Sequence, residues 1–376
     1  MHCLKAETTE VLTLDGWKKY GEFTINDKIA TLVDNKLVYE NPKQIFYYPD
    51  FNDKLYHISN SSIELDVTMK HRMWTSKKYG REQKWLPYDF EYAEDIIGKQ
   101  RRYKKDAEWD VPDYQFILPK LTDGNKQIHE EKIVDMNSWL IFFGIWIAEG
   151  CSNKVINIAV HKQRVKDALY PALRNLGYEY KVRNDSLTFS DIQLTKYMNT
   201  FSLGSSKKYL PDWVFKLSKM QAQLMVNSMQ LGDGYFCKET TASWYSTTSI
   251  KLVNQFQQLC LHAGWAANIF KHIEAGTKNI IRNKEVINNY DVWRISVIKT
   301  KINPTVNHDH VKTQNVQQER IYDYKGAVFC LEVNSGVFMI RSNGKTCWSG
   351  NSRARGPITM LTHQPPEGRS IRSLLN

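Results

Sequence analysis

No stretch of this chain approaches 18 consecutive apolar residues, which argues against a helical membrane span. The amino-terminal Met-His-Cys leads into no apolar run, so no secretory leader is expected. Cysteine is sparse. Cys3, Cys151, Cys237, Cys260, Cys330 and Cys347 are scattered and form no CxxC pair, which speaks against a zinc site. These absences together predict an intracellular protein with reduced thiols. What is present is bulk and positive charge. The 376 residues are 42% hydrophobic with a net charge of +11, enough for a folded chain of two or three domains. Lys77, Lys78, Arg81 and Lys84, then Lys99, Arg101, Arg102, Lys104 and Lys105, form a basic belt. It is either a solvated face or a surface for a polyanion such as nucleic acid.

The texture changes twice along the chain. Residues 3 to about 75 alternate β-branched and polar positions, broken by the turn pairs Asp15-Gly16 and Asp34-Asn35, as in a small all-β unit. Residues 77 to about 132 are polar, basic and aromatic-rich, and are expected to be an insertion or a flexible arm. From about 136 the order helix, strand, helix appears and is then repeated. Glu149-Gly150 with Leu176-Gly177-Tyr178 matches Asp233-Gly234 with Ala263-Gly264-Trp265, a duplication that implies pseudo-two-fold symmetry. Pro171 is expected to kink the second helix or mark its start. After a polar stretch at 301 to 320 the β texture returns up to Asn351. One β domain with a second domain inserted is the economical reading.

Within the duplicated unit, Gly144 and Ala148 lie four apart on one helix, and Leu224, Ser228 and Gly232 on the other. Small residues at that spacing let two helices approach closely. Glu149 and Asp233 each follow the last small residue directly, so packing the helices would bring the two carboxylates together, where they could hold Mg²⁺. An acid in a turn at a helix end is the bland alternative, weakened by its recurrence in both repeats. The segments "FFGIWIAEG", "MQLGDGY" and "KKYLPDWVF", spanning about 136 to 300, resemble the LAGLIDADG homing endonucleases. That resemblance implies that Glu149 and Asp233 bind catalytic Mg²⁺ and that each repeat lays a strand saddle on double-stranded DNA. It also points to Lys207 or Lys208 as a basic active-site residue.

The β-rich ends carry a second resemblance. Cys3 at the start of the β unit, Thr68 and His71 in "VTMKHRM", and the terminal Asn351-Ser352 resemble an intein. The implied fold is a mainly β Hint horseshoe interrupted by an α/β pseudo-two-fold LAGLIDADG endonuclease domain. The implied divisions are 1–2 as a flank, 3–130 as the first Hint part with its basic arm, 131–300 as the endonuclease, 301–351 as linker and second Hint part, and 352–376 as the other flank. In that scheme Cys3 attacks the carbonyl of His2, since a thiolate is strongly nucleophilic. His71 protonates the departing amide nitrogen. Ser352 then takes the acyl group, and Asn351 cyclises to cut before Ser352. Two departures from the common pattern stand out. Gly350 replaces the usual His, and Cys330 stands where an acid is usual, so either Cys330 or a bound water is expected to activate Asn351. The alternative for Cys330 is a small buried apolar residue.

Joining Met-His to Ser352 to Ser370 gives "MHSRARGPITMLTHQPPEGRS", which resembles the β-type subunit of multisubunit RNA polymerase. The expected partners are therefore double-stranded DNA and flanking RNA polymerase segments, with the chain a monomer. The rival expectation is a DNA-binding remnant that neither splices nor cuts.

Overall fold

The computed structural model describes residues 2–237, 242–281, 284–307 and 317–351. Ser352 and the flank to residue 376 lie outside the described residues.

Tight turns form where the sequence signals them. Asp34 and Asn35 take φ of 48° and 66° between the paired strands Ile29–Val33 and Lys36–Glu40. Two successive positive φ values give the turn whose twist suits a hairpin. Asn343 and Gly344, at 45° and 76°, do the same between Val337–Ser342 and Lys345–Gly350. The long strand Gln44–Ser59 pairs with Gln318–Glu332 and with Glu64–Thr68. Leu4 pairs with Phe329 and Val67, closing a four-stranded barrel. That closure draws residue 3 to the middle of strands from both ends of the chain. Leu4, Val11, Ile58, Val67, Phe329 and Ile340 pack together behind it.

Residues 77 to 132 are not a loose arm. Asp89–Tyr92 and Arg101–Tyr103 both pair with Arg72–Ser76, and Tyr103 is buried. The basic belt is divided for the same reason. Lys77, Arg81, Lys84 and Lys99 are exposed, but Arg101 is paired with Glu91, and Lys104 and Lys105 are buried. Lys105 Nζ donates to Ser62 O and to Asn268 Oδ1, and burial lowers its pKa to about 7. It therefore ties the β unit to the duplicated unit and is not a phosphate contact.

The duplication is visible in the strand order. Helix Met136–Glu149 is followed by Gly150–Ser152, Ile156–Ala159, helix Gln163–Asn175, Lys181–Arg183 and Ser186–Phe189. Helix Lys219–Asp233 is followed by Gly234–Phe236, Ser243–Thr247, helix Ile250–His262, Ala266–Ile273 and, after the short pair Lys278–Ile281 and Lys284–Ile287, Val292–Ile298. In both sheets the four main strands lie in the order first, second, fourth, third. Gly177 and Gly264 end the corresponding helices with φ of 79° and 74°, a left-handed cap that favours glycine. Pro171 does not mark a helix start; the helix runs through it to Asn175.

The two acid-bearing helices pack as the small residues predict. A Cβ on Gly144 would lie 2.7 Å from Ser228 Cβ, and one on Gly232 would lie 2.4 Å from Ala148 Cβ. Gly232→Val is therefore expected to cost about 3 kcal/mol by overpacking, read as a lower denaturant midpoint. An unchanged midpoint would mean that the helices do not meet there.

The second sheet continues into the β unit. Asn268 pairs with Lys345, and Ile269 N–H donates to Gly344 O at 3.0 Å. The strand that ends at Gly350 is thus held from the side by the duplicated unit. Among the described residues, no helix is long and apolar enough to cross a membrane.

Candidate active sites

The first site lies where the two ends of the β unit meet. Cys3 is 1% exposed, packed with Leu55, Val328 and Cys330. Its N–H donates to Thr68 Oγ1 at 2.9 Å, and its carbonyl accepts from Thr68 N–H at 3.0 Å. Thr68 thereby fixes the amide nitrogen of the His2–Cys3 bond. Burial, and then the neighbouring Cys330, push the Cys3 thiol well above its usual range, so it is held as the neutral thiol.

His71 follows three residues after Thr68, and its N–H donates to Thr68 O at 2.8 Å. The ring is fully buried. Burial lowers its pKa to about 3, partly opposed by hydrogen bonding to the His2 backbone. Nε2 shares a hydrogen bond with Ser349 Oγ at 2.8 Å, which leaves Nδ1 as the ring nitrogen for the His2 backbone. The ring therefore stands between the His2 end and the strand leading to Asn351. As a neutral imidazole it carries one proton to give and one lone pair to receive.

Asn351 is 3% exposed. Its Nδ2 donates to Val333 O at 3.0 Å, and its N–H to Gly336 O at 2.8 Å. Its Oδ1 accepts from Arg72 NH1 at 2.9 Å. Barrel closure puts Cys330 beside Cys3, and the groups that hold the Asn351 amide are Arg72 and the Val333 carbonyl. Neither Arg72 nor Ser349 was expected from sequence; the only signal was that Arg72 directly follows His71.

Buried neutral imidazoles also predict acid sensitivity. His71 and His262 are both fully buried with pKa lowered to about 3. In the unfolded chain both titrate near 6.5. Their stabilisation is fully present above that value and is lost as pH falls from about 6.5 toward 3, at about 1.4 kcal/mol per pH unit per ring. Melting temperature should therefore drop steadily between pH 6.5 and 4.5, with a shallower slope for His262→Gln. A flat profile would contradict the burial of both rings.

The second site lies at the ends of the paired helices. Asp233 is raised to about 6, mainly by burial and next by Glu149, with Lys162 and Lys208 opposing. Tyr245 is pushed far up by burial and then by both acids. The two carboxylates are thus close enough to repel. Asp233, Lys208, Ser205, Tyr245 and Thr247 help line a cavity of about 220 Å³. Lys162 Nζ reaches Glu149 Oε1 at 2.5 Å and Gly232 O at 2.6 Å. Arg164 donates to Leu231 O and Gly234 O, and Lys208 to Ile147 O and Gly150 O. Each helix end, where carbonyls and dipole are negative, is therefore covered by cations. The structure also separates the two lysine candidates: Lys208 points inward and Lys207 is exposed. Lys162 went unnoticed in the sequence, because a lysine before a helix carries no signal of its own.

Two adjacent carboxylates fit a hard divalent cation, which would relieve their repulsion. Among the described residues, no group of three or more His, Cys, Asp or Glu side chains could hold a metal, so only these two acids are available from side chains.

No protein-family profile matches the chain. It is 34% identical over 419 aligned residues to the DNA-directed RNA polymerase subunit beta C-terminal section of Stigeoclonium helveticum, covering 98% of this chain and 38% of that protein. It is 28% identical over 484 aligned residues to the ATP-dependent Clp protease proteolytic subunit of Chlamydomonas moewusii, covering 98% and 47%. The ribonucleoside-diphosphate reductase subunit beta of Aquifex aeolicus is 23% identical over 168 residues, covering 43% and 21%. The chain thus spans less than half the length of each relative. Among solved structures, a class 3 split intein in a splice-inactive form has TM-score 0.31 and 9% identity, covering 94% of this chain and 100% of that one. The protein I-DmoI in complex with its target DNA, with Mg, has TM-score 0.28 and 10% identity, covering 43% and 89%. Scores this low carry no argument about the fold.

Proposed function

We propose that this chain is a self-splicing intein whose inserted LAGLIDADG-type unit is a site-specific endonuclease for double-stranded DNA. The splicing unit is the Hint horseshoe formed by residues 3 to about 130, with their basic arm, together with about 315 to 351, and residues 131 to 300 form the nuclease, joined back to it by a linker from 301. One observation carries the reading: the short segment Thr68–Arg72 grips both candidate junctions, Cys3 through Thr68 and Asn351 through Arg72. The relatives support it independently. Proteins named for an RNA polymerase subunit and a protease subunit each match 98% of this chain, as expected of an element inserted into different hosts.

The chemistry is internal. Cys3 Sγ bonds to the His2 carbonyl carbon and the His2–Cys3 amide breaks. The thiol proton ends on the Cys3 nitrogen, relayed by His71, which leaves a thioester and an amine. Ser352 Oγ then takes the acyl group and frees the thiol. Asn351 cyclises and releases Ser352, whose nitrogen takes the acyl group to restore an amide. The flanking RNA polymerase segments are thereby joined.

In the nuclease, Glu149 and Asp233 would hold Mg²⁺, which supplies Lewis-acid stabilisation for phosphodiester hydrolysis when bound. Lys162 and Lys208 hold positive charge at the helix ends, where they would stabilise negative charge developing on a phosphate bound there. The corresponding four strands of each repeat would rest on the DNA, and the protein would act as a monomer because both repeats lie in one chain. The rival reading, an inactive DNA-binding remnant, draws on Lys162 occupying Glu149 and on Gly350. Mass spectrometry of the expressed chain decides between them for splicing: release of a 349-residue piece, positions 3 to 351, supports the proposal. Intact precursor after days under reducing conditions would overturn it.

A further inference from the structure

The last cut is the hardest step to account for. An amide nitrogen is a poor nucleophile because its lone pair is shared with the oxygen, and Gly350 offers no side chain to help. The group that reaches the reacting amide is Arg72, through NH1 to Asn351 Oδ1 at 2.9 Å. The guanidinium lies 3.6 Å from the centroid of the Phe90 ring, and the residue is 9% exposed. Val333 O holds the other end of the same amide at 3.0 Å. Gly350 belongs to this arrangement. A Cβ at 350 would lie 2.3 Å from Arg72 O and 3.0 Å from Phe90 Cε1. The bare position lets the Arg72 strand and the Phe90 ring close on the junction.

We propose that Arg72 is the catalytic residue of Asn351 cyclisation. This inference rests on the splicing reading above. As Nδ2 bonds to the Asn351 carbonyl carbon, the bond from that carbon to the Ser352 nitrogen breaks. The proton shed by Nδ2 ends on the departing amine, leaving a succinimide at 351, and no other reagent is consumed. Shedding that proton moves negative charge onto Oδ1, where the guanidinium stabilises it. A charge-assisted hydrogen bond in a buried site is strong, and arginine stays charged at every working pH. The stacked, forked cation also fixes the amide plane, which a lysine does less well.

The test follows two rates for each variant by intact mass: release of the segment after Asn351, and thiol-triggered scission before Cys3. For Arg72→Ala, release after Asn351 should fall at least tenfold more than scission before Cys3. Added methylguanidinium should recover at least threefold of the lost release, a rescue that a purely structural role would not allow. Arg72→Lys should fall between the two and carries the comparison if the alanine variant does not fold. Equal losses at both junctions, or no loss at Asn351, would overturn the assignment. A wild-type chain that cleaves at neither junction would instead overturn the splicing reading itself.

Discussion

Asn351→Ala is expected to abolish release of the segment after residue 351 while thiol-triggered scission before Cys3 continues. In the proposed chemistry the side chain is the nucleophile of the last cut, and alanine has no atom that could close the ring. In the proposed scheme the first acyl shift uses Cys3, Thr68 and His71, which are joined by the bond from Cys3 N–H to Thr68 and reach the second half through Ser349, while the Asn351 amide is held by Arg72 and the Val333 carbonyl. The two halves of the proposed chemistry should therefore be separable by mutation although one segment contacts both junctions. Intact mass after thiol treatment should show a species beginning at Cys3 that still carries the residues after 351. Release of that segment at the wild-type rate would assign the cut to another residue.

Glu149→Gln is expected to lower DNA cleavage by about 10²-fold or more, with binding retained. The change preserves shape and removes one of the two negative charges that would hold the metal. It also removes the partner of Lys162, which reaches Glu149 at 2.5 Å. A supercoiled plasmid carrying an uninterrupted RNA polymerase subunit gene, incubated with Mg²⁺, gives the readout, and a gel-shift assay reports binding. Equal cutting by both proteins would refute the carboxylate assignment. No cutting by the wild type, with binding intact, would favour the inactive remnant.

The candidate residues were legible unevenly. Cys3, Thr68, His71 and Asn351 could be named because their order along the chain resembles that of an intein; the spacing of Thr68 and His71 by itself would not have singled them out. Glu149 and Asp233 could be named because a duplicated helix end carries a carboxylate before glycine in both repeats. The close helix contact was equally legible, since Gly144 and Gly232 mark the points where a side chain would not fit. The polar stretch at 77 to 132 misled, because composition does not reveal that Phe90 and Tyr103 turn inward.

The sequence by itself determined the duplication, the hairpin turns at Asp34-Asn35 and Asn343-Gly344, and which residues are candidates for splicing and for holding a cation. These are local properties of spacing and backbone preference. The tertiary structure alone decided which groups surround them. Barrel closure carried Cys330 to Cys3. The meeting of the 72–76 and 345–350 strands placed Arg72 on Asn351. The packing of the two repeats set Lys162 on Gly232 O and Arg164 on Leu231 O, and docking of the duplicated unit buried Lys105. Each of these depends on which surfaces meet, and side-chain identity along a chain does not encode that until the chain has folded.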